Sequence, residues 1–178
     1  MATLPAEKIV VIDESSTHRD MNPAYARAPK GQRAFARAIR NFGGNVSLMA
    51  SLTLRGTGPA MAVEGSVNTA VFSTFICDLL VPSLRPGDIV LMDNLGCHKA
   101  AVIQQAIEAV GATLLFFPAY SPDFSPIEQA FSKVKTILRR IRPQSLVALY
   151  DAIQQALDSI SWTDALGYFC AAGFLNIR

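Results

Sequence analysis

The sequence predicts an α/β fold in which a mixed central sheet is flanked by helices. Three observations predict it. Four short segments, Lys8–Asp13, Asn45–Arg55, Ile89–Met92 and Thr113–Phe117, have strand length and are rich in apolar and β-branched residues. The longer segments between and after them carry apolar residues at helical spacing. In the second half strands alternate with helices, which implies parallel pairing through right-handed crossovers.

Taken in order, Lys8–Asp13 reads as a buried strand because it is apolar almost throughout. Residues 14–40 read as a long polar and basic connection, broken by Pro23, Pro29 and Gly31. Asn45–Arg55 places Val46, Leu48, Ala50, Leu52 and Leu54 on one face of a strand. Gly56-Thr-Gly-Pro59 reads as a turn, with Ala60–Glu64 as the returning partner of an antiparallel hairpin. Asn68 is an N-cap for a helix reaching about Leu80, and 82–88 is a connector. Ile89–Met92 is the next buried strand. A helix over Lys99–Val110 follows from Val102, Ile103, Ala106, Ile107 and Val110, with Gly111 as its C-cap. Thr113–Phe117 is a strand, and 118–125 is a proline-rich turn. Pro126 opens a helix striped by Ile127, Phe131, Val134, Leu138 and Ile141, and Pro143 ends it. Gln144–Ile160 is a last long helix, with a short helical tail after Trp162. With no repeat and no linker, residues 1–178 read as a single domain whose C-terminal helices start at about 144. This order of elements matches the ribonuclease-H-like architecture.

Composition supports a packed domain. The chain has 178 residues, of which 51% are hydrophobic and 17% charged; that suffices for a full core. Net charge is only +2, but the positive charge is clustered. Arg19, Arg27, Lys30, Arg33, Arg37 and Arg40 face a single acid, Asp20, in one stretch. Lys133, Lys135, Arg139, Arg140 and Arg142 share another with no acid at all. Such clusters suit contacts to a phosphate backbone. Three cysteines, Cys77, Cys97 and Cys170, are too scattered for a disulfide framework or a zinc site. Cys77 and Cys170 read as small buried hydrophobes. The absence of a signal-peptide pattern and of an unbroken apolar span points to the cytoplasm.

The chemistry lies in three carboxylates. Asp13 ends the apolar run Ile9-Val-Val-Ile12, Asp93 ends Ile89–Met92, and Glu128 sits just inside the helix opened by Pro126. In open α/β sheets sites form beyond the carboxyl ends of the strands. Two carboxylates brought together there repel each other unless a cation lies between them. Hard oxygen ligands suit Mg²⁺ or Mn²⁺, and two such ions can drive phosphodiester displacement. Helical spacing from Glu128 reaches Ser132, Lys135 and Arg139, which places cations beside the acids. Each acid taken singly has a plainer role: a turn at Asp13, a cap at Asp93-Asn94, the helix dipole at Glu128. The conjunction of all three decides for the functional reading. His98 is read either as a phosphate contact or as a local structural group, Tyr120 and Phe124 as packing, and Asp123 as a turn cap.

Val90-Leu-Met-Asp-Asn-Leu-Gly-Cys-His-Lys99, Phe116-Phe-Pro-Ala-Tyr-Ser-Pro-Asp-Phe-Ser-Pro-Ile-Glu-Gln129 and Lys133-Val-Lys135 together resemble the DDE transposases of bacterial insertion sequences, in the insertion-sequence-six-thirty family related to mariner elements. Val10-Val-Ile-Asp-Glu-Ser15 and Ala28-Pro-Lys-Gly-Gln-Arg33 are similar to that family's first catalytic block and the stretch after it. The spacing between Asp93 and Glu128, 34 intervening residues, is the one that names the family's acidic triad. The resemblance implies that Asp13, Asp93 and Glu128 hold two Mg²⁺ or Mn²⁺ ions. It further implies cleavage of double-stranded DNA at element ends and strand transfer to TA-type targets, by a homo-oligomer. Lys30, Arg33, His98, Lys99, Lys135 and Arg139 are the expected DNA contacts. Ser125 stands where the family usually has Asn, and is expected to cap the helix equally well. The family's helix-turn-helix reader has no counterpart before Lys8, so an upstream reading frame is the expected DNA-binding partner. Two other readings stay open on sequence alone: a catalytically silent remnant or regulator that binds DNA or a full-length transposase, and a structure-specific nuclease.

Overall fold

The computed structural model of the chain describes residues 4–18, 21, 27–35, 44–118 and 124–175, with only the backbone of Cys97. A 3-10 turn, Ala6–Lys8, leads into β1 (Ile9–Thr17). Next come β2 (Val46–Thr53) and β3 (Gly56–Glu64), each antiparallel to the strand before it. α1 (Thr69–Thr74) continues through π-type turns over Phe75–Leu80 and a 3-10 turn over Val81–Ser83. β4 (Ile89–Met92), a 3-10 turn at Gly96–Lys99, α2 (Ala101–Ala109) and β5 (Thr113–Phe116) complete the sheet. α3 (Pro126–Ile141), α4 (Leu146–Asp158) and α5 (Trp162–Ala171) end the chain. The sheet order is β3-β2-β1-β4-β5, with β4 parallel to both β1 and β5. This is the mixed, ribonuclease-H-like sheet that the sequence predicts.

Strand alternation sends neighbouring residues to opposite faces, and here both faces are covered. Ile9, Val11 and Leu91 pack against Phe131, Val134 and Leu138 of α3 and against α4 and α5. Val10, Ile12, Val90 and Met92 pack against Phe72, Phe75, Ile103 and Ile107 on the other face. Burial on both sides is why β1 and β4 read as unbroken apolar runs rather than alternating ones. Asn68 caps α1 as expected, its side chain accepting the Val71 N–H at 2.9 Å. Gly111 ends α2 with φ +77°, a conformation that favours glycine.

Several expectations are corrected. β1 runs four residues beyond Asp13, because β2 continues the ladder as far as Thr17 opposite Val46. The hairpin turn is Leu54-Arg55, and Gly56–Pro59 belongs to β3. β3 is an edge strand, so Pro59 has no ladder bond to forfeit on its open side. The register slips between Ala50 and Leu52, which leaves Ser51 facing a bulge at Gly58-Pro59. Ser51 Oγ donates to Pro59 O at 3.0 Å, and a Cβ on residue 58 would stand 2.6 Å from Ser51 Oγ. The last long helix starts at Leu146, capped by Ser145, and the tail is a ten-residue helix, α5, with a Ser161–Asp164 capping box. Cys77 and Cys170 are half-buried rather than buried. Among the described residues no helix is long and apolar enough to cross a membrane.

Candidate active site

The parallel pairing of β1 and β4 sets the geometry of the site. Its last matched pair is Val11 with Leu91. Asp13 lies two residues beyond Val11, and Asp93 two beyond Leu91, just past the end of β4. The two strands part there, which opens the sheet between their carboxylates. Asp13 thus stands where the parallel pairing ends, not where its strand ends.

Asp13 is half-buried, and its carboxyl is pushed up to about 7. Burial is the main cause; the Glu14 N–H, donating to Oδ1 at 2.7 Å, pulls the other way, and the charges of Asp93, Glu128 and Glu14 push up again. Asp13 therefore senses both other acids expected with it. Asp93 Oδ1 accepts the Leu95 N–H at 3.2 Å and also touches His98 Nδ1. That second approach is a close contact that lacks the alignment of a hydrogen bond. Glu128 is exposed in the first turn of α3, which Pro126 opens. Ser125 stands at the N-cap but its side chain makes no cap bond, contrary to expectation; only its carbonyl accepts, from Glu128 N–H at 3.2 Å.

Asp13, Glu14, Glu128, Ser132, Lys135 and Arg139 line one cavity of about 260 Å³. The expected pairing of acids with Lys135 and Arg139 is therefore present. A larger cavity, about 520 Å³, is apolar and walled by Phe116, Phe117, Phe124 and Phe174. A third lies by Glu7, Arg55 and Arg85. Of these three, the carboxylate cavity is the candidate site because it gathers acids and cations together, as phosphoryl chemistry needs; Asp93 is not among its lining residues.

The other expected DNA contacts divide. Lys30 and Arg33 are exposed around a turn closed by Gln32 N–H to Pro29 O, and Arg33 sits 5.9 Å from the Phe35 ring centroid. Neither lines the carboxylate cavity. Lys99 is exposed. Lys133 is spent on structure: its Nζ donates to Asp164 at 2.8 Å and to Ser159 O at 3.0 Å. His98 is corrected as a DNA contact, since it is wholly buried and stacked on Phe72 with centroids 4.0 Å apart. Phe124, expected to be packing, is 52% exposed. Tyr120 and Asp123 lie outside the described residues. The sequence reading passed over Glu14, whose Oε2 is buried without a hydrogen-bond partner among the described residues; its only signal is adjacency to Asp13.

Among the described residues no group of three or more His, Cys, Asp or Glu side chains lies close enough together to hold a metal ion. The donor chemistry still fits a hard divalent cation: three carboxylates, no thiolate among the described side chains, and an Asp13 whose anion is disfavoured by burial and then by its acidic neighbours. A cation is the group that would relieve that repulsion.

A family profile described as DDE superfamily endonuclease matches residues 8–149. Among solved structures, the chain is similar to the Mos1 strand transfer complex, with a TM-score of 0.74 and 23% identity over 94% of this chain and 51% of that one. The Mos1 mariner paired end complex with Mn gives 0.74 at 21% identity, covering 93% and 52%. The catalytic domain of Mos1 mariner transposase gives 0.68 at 18% identity, covering 93% and 76%. At these identities the likeness is one of fold. The chain spans about half the length of the transposases in the two complexes. No curated protein matches it.

Proposed function

The chain belongs to the DDE superfamily of endonucleases, and from that premise we propose that it is a transposase catalytic domain. It cleaves double-stranded DNA at the ends of a mobile element and transfers the freed 3′-hydroxyls to target DNA. One observation carries this reading. The parting of β1 and β4 sets Asp13 beside Asp93, and Glu128 shares Asp13's cavity with Lys135 and Arg139.

Asp13, Asp93 and Glu128 are the residues that would hold two Mg²⁺ or Mn²⁺ ions. When bound, such ions activate an attacking oxygen and stabilise a leaving one in phosphodiester displacement. The chain's own side chains supply the rest. Lys135 and Arg139, on the same face of α3 as Glu128, hold backbone phosphates against the carboxylates. Lys30, Arg33 and Lys99 extend the contact along the duplex. The fold shared with Mos1 complexes that hold paired ends and a strand-transfer product supports action as an oligomer on two DNA ends. The motif resemblance supports a TA-type target and a helix-turn-helix reader of the ends, supplied in cis or in trans.

The test uses labelled DNA carrying the element ends, with Mg²⁺ or Mn²⁺, for the parent chain and Asp93→Asn. The expected result is metal-dependent nicking and joining in the parent, lost in the variant while its melting curve stays cooperative. Cleavage by Asp93→Asn at the parent's rate would sink the assignment. Hydrolysis without joining would reassign the site to a nuclease.

A further inference from the structure

Among the described residues His98 is the only ionisable side chain that is fully buried. An imidazole in a core leaves two ring nitrogens to satisfy, which a leucine would not. Among the described residues the polar side chain brought to His98 is that of Asp93. The ring is held flat on Phe72, at a 26° interplanar angle, and Phe72, a residue of α1, is itself 0% exposed in the core. The chain closes a small circuit at this point. Asp93 Oδ1 accepts the Leu95 N–H, the Leu95 carbonyl accepts the His98 N–H at 3.1 Å, and the His98 ring returns to Asp93 Oδ1. The two partners are unequally placed: the Asp93 side chain is 40% exposed and His98 not at all. A group fixed in the core thus reaches a carboxylate that faces the site.

We propose that His98 is a positioning residue for the metal site: it fixes the Asp93 carboxylate by engaging Oδ1, which leaves Oδ2 as the oxygen offered to a divalent cation. The inference rests on the reading of Asp93 as a metal ligand. Side chains that orient a ligating carboxylate act through the ligand's rotamer freedom, so their loss weakens metal binding without removing a ligand. Phe72 belongs to the same device, as the plate that sets the imidazole plane. It lies 26 residues upstream of His98, and α1 holds it there by packing among Phe75, Ile76 and Ile103.

Mn²⁺ titration by calorimetry, together with thermal denaturation in EDTA, tests the proposal on four variants of the chain. His98→Phe keeps the stacked ring and removes both nitrogens. His98→Asn restores an N–H close to the Nδ1 position, whereas His98→Gln places its amide nearer the Nε2 position. Asp93→Asn removes the ligand itself. Loss of a group that orients a ligand costs about 10–100-fold in metal affinity, and that weakening is expected for His98→Phe and His98→Gln. His98→Asn should bind Mn²⁺ close to the parent level. His98→Phe binding Mn²⁺ like the parent overturns the positioning role. So does equal affinity in the Asn and Gln variants, a comparison that holds even where His98→Phe does not fold. A parent that binds no Mn²⁺, or an Asp93→Asn chain that binds it like the parent, overturns the metal-site reading first and the positioning role with it.

Discussion

Replacing Asp13 by Asn should abolish a pH dependence of stability that the folded chain carries when divalent metal is chelated. In the folded chain the Asp13 carboxyl keeps its proton up to about pH 7, because burial and the neighbouring acids disfavour the anion. In the unfolded chain an aspartate ionises near pH 4, at about 3.9. Between those values the folded state binds a proton that the unfolded state has released. Stability from this group is therefore full below about pH 4 and is lost as pH rises toward about 7. A separation of about three pH units corresponds to a ceiling on the order of 4 kcal/mol. Asp13 is only half-buried, so solvent screening keeps the measured loss below that ceiling. At about 2–4 °C per kcal/mol for a chain of this size, the expected fall in Tm is several degrees and no more than about 15 °C. The assay is thermal denaturation in EDTA at intervals from about pH 5 to about pH 8, for parent and Asp13→Asn. The gap between the two curves should widen with pH, with the variant the more stable at the alkaline end. Mn²⁺ added there should raise the Tm of the parent and leave the variant unmoved. Parallel curves in EDTA would refute the raised Asp13 carboxyl, which burial causes first and the neighbouring acids after it.

Two further outcomes test the surroundings of the site. Lys135→Ala and Arg139→Ala should each flatten the dependence of log affinity for duplex DNA on log salt by about 1, with stability changed by less than about 0.5 kcal/mol. Lys133→Ala should leave that slope alone, because Lys133 is engaged with Asp164. Asp164→Ala removes the ion pair and the α5 capping box, for a loss of about 1–2 kcal/mol in denaturant unfolding at neutral pH. Lys133, then Ser161, hold the Asp164 carboxyl down at about 2. Its contribution is accordingly present above about pH 4 and fades as pH falls toward about 2, so acid denaturation of parent and variant should converge there.

The strands were legible because both faces of the sheet are covered. Burial of Ile9–Ile12 and Val90–Met92 on both sides leaves the unbroken apolar runs that mark them. The hairpin turn was misplaced for a physical reason. Gly and Pro at 56–59 signal a turn in isolation, but on an edge strand they also build a bulge, and only the Ser51 contact distinguishes the two. The end of β1 was missed because Glu14–Thr17 is polar. Its strand state comes from the β2 ladder, a pairing across a long connection that local composition does not record.

The acids were legible and the group beneath them was not, and the difference follows from how each is positioned. Asp13 and Asp93 lie in register at fixed offsets from one parallel pair, so two short apolar runs suffice to put them side by side. Glu128 follows from a proline that starts a helix, again a local signal. His98 depends on something no local pattern carries: whether residues 96–99, turning just after β4, point their imidazole outward to phosphate or inward to Phe72. An outward histidine would have added one more phosphate contact to a site that Lys135 and Arg139 already line. Turned inward, it leaves the phosphate contacts to α3 and engages one oxygen of Asp93 from the core. The burial of one histidine therefore separates two tasks in the same short loop, holding DNA and holding a ligand, and it assigns His98 to the second.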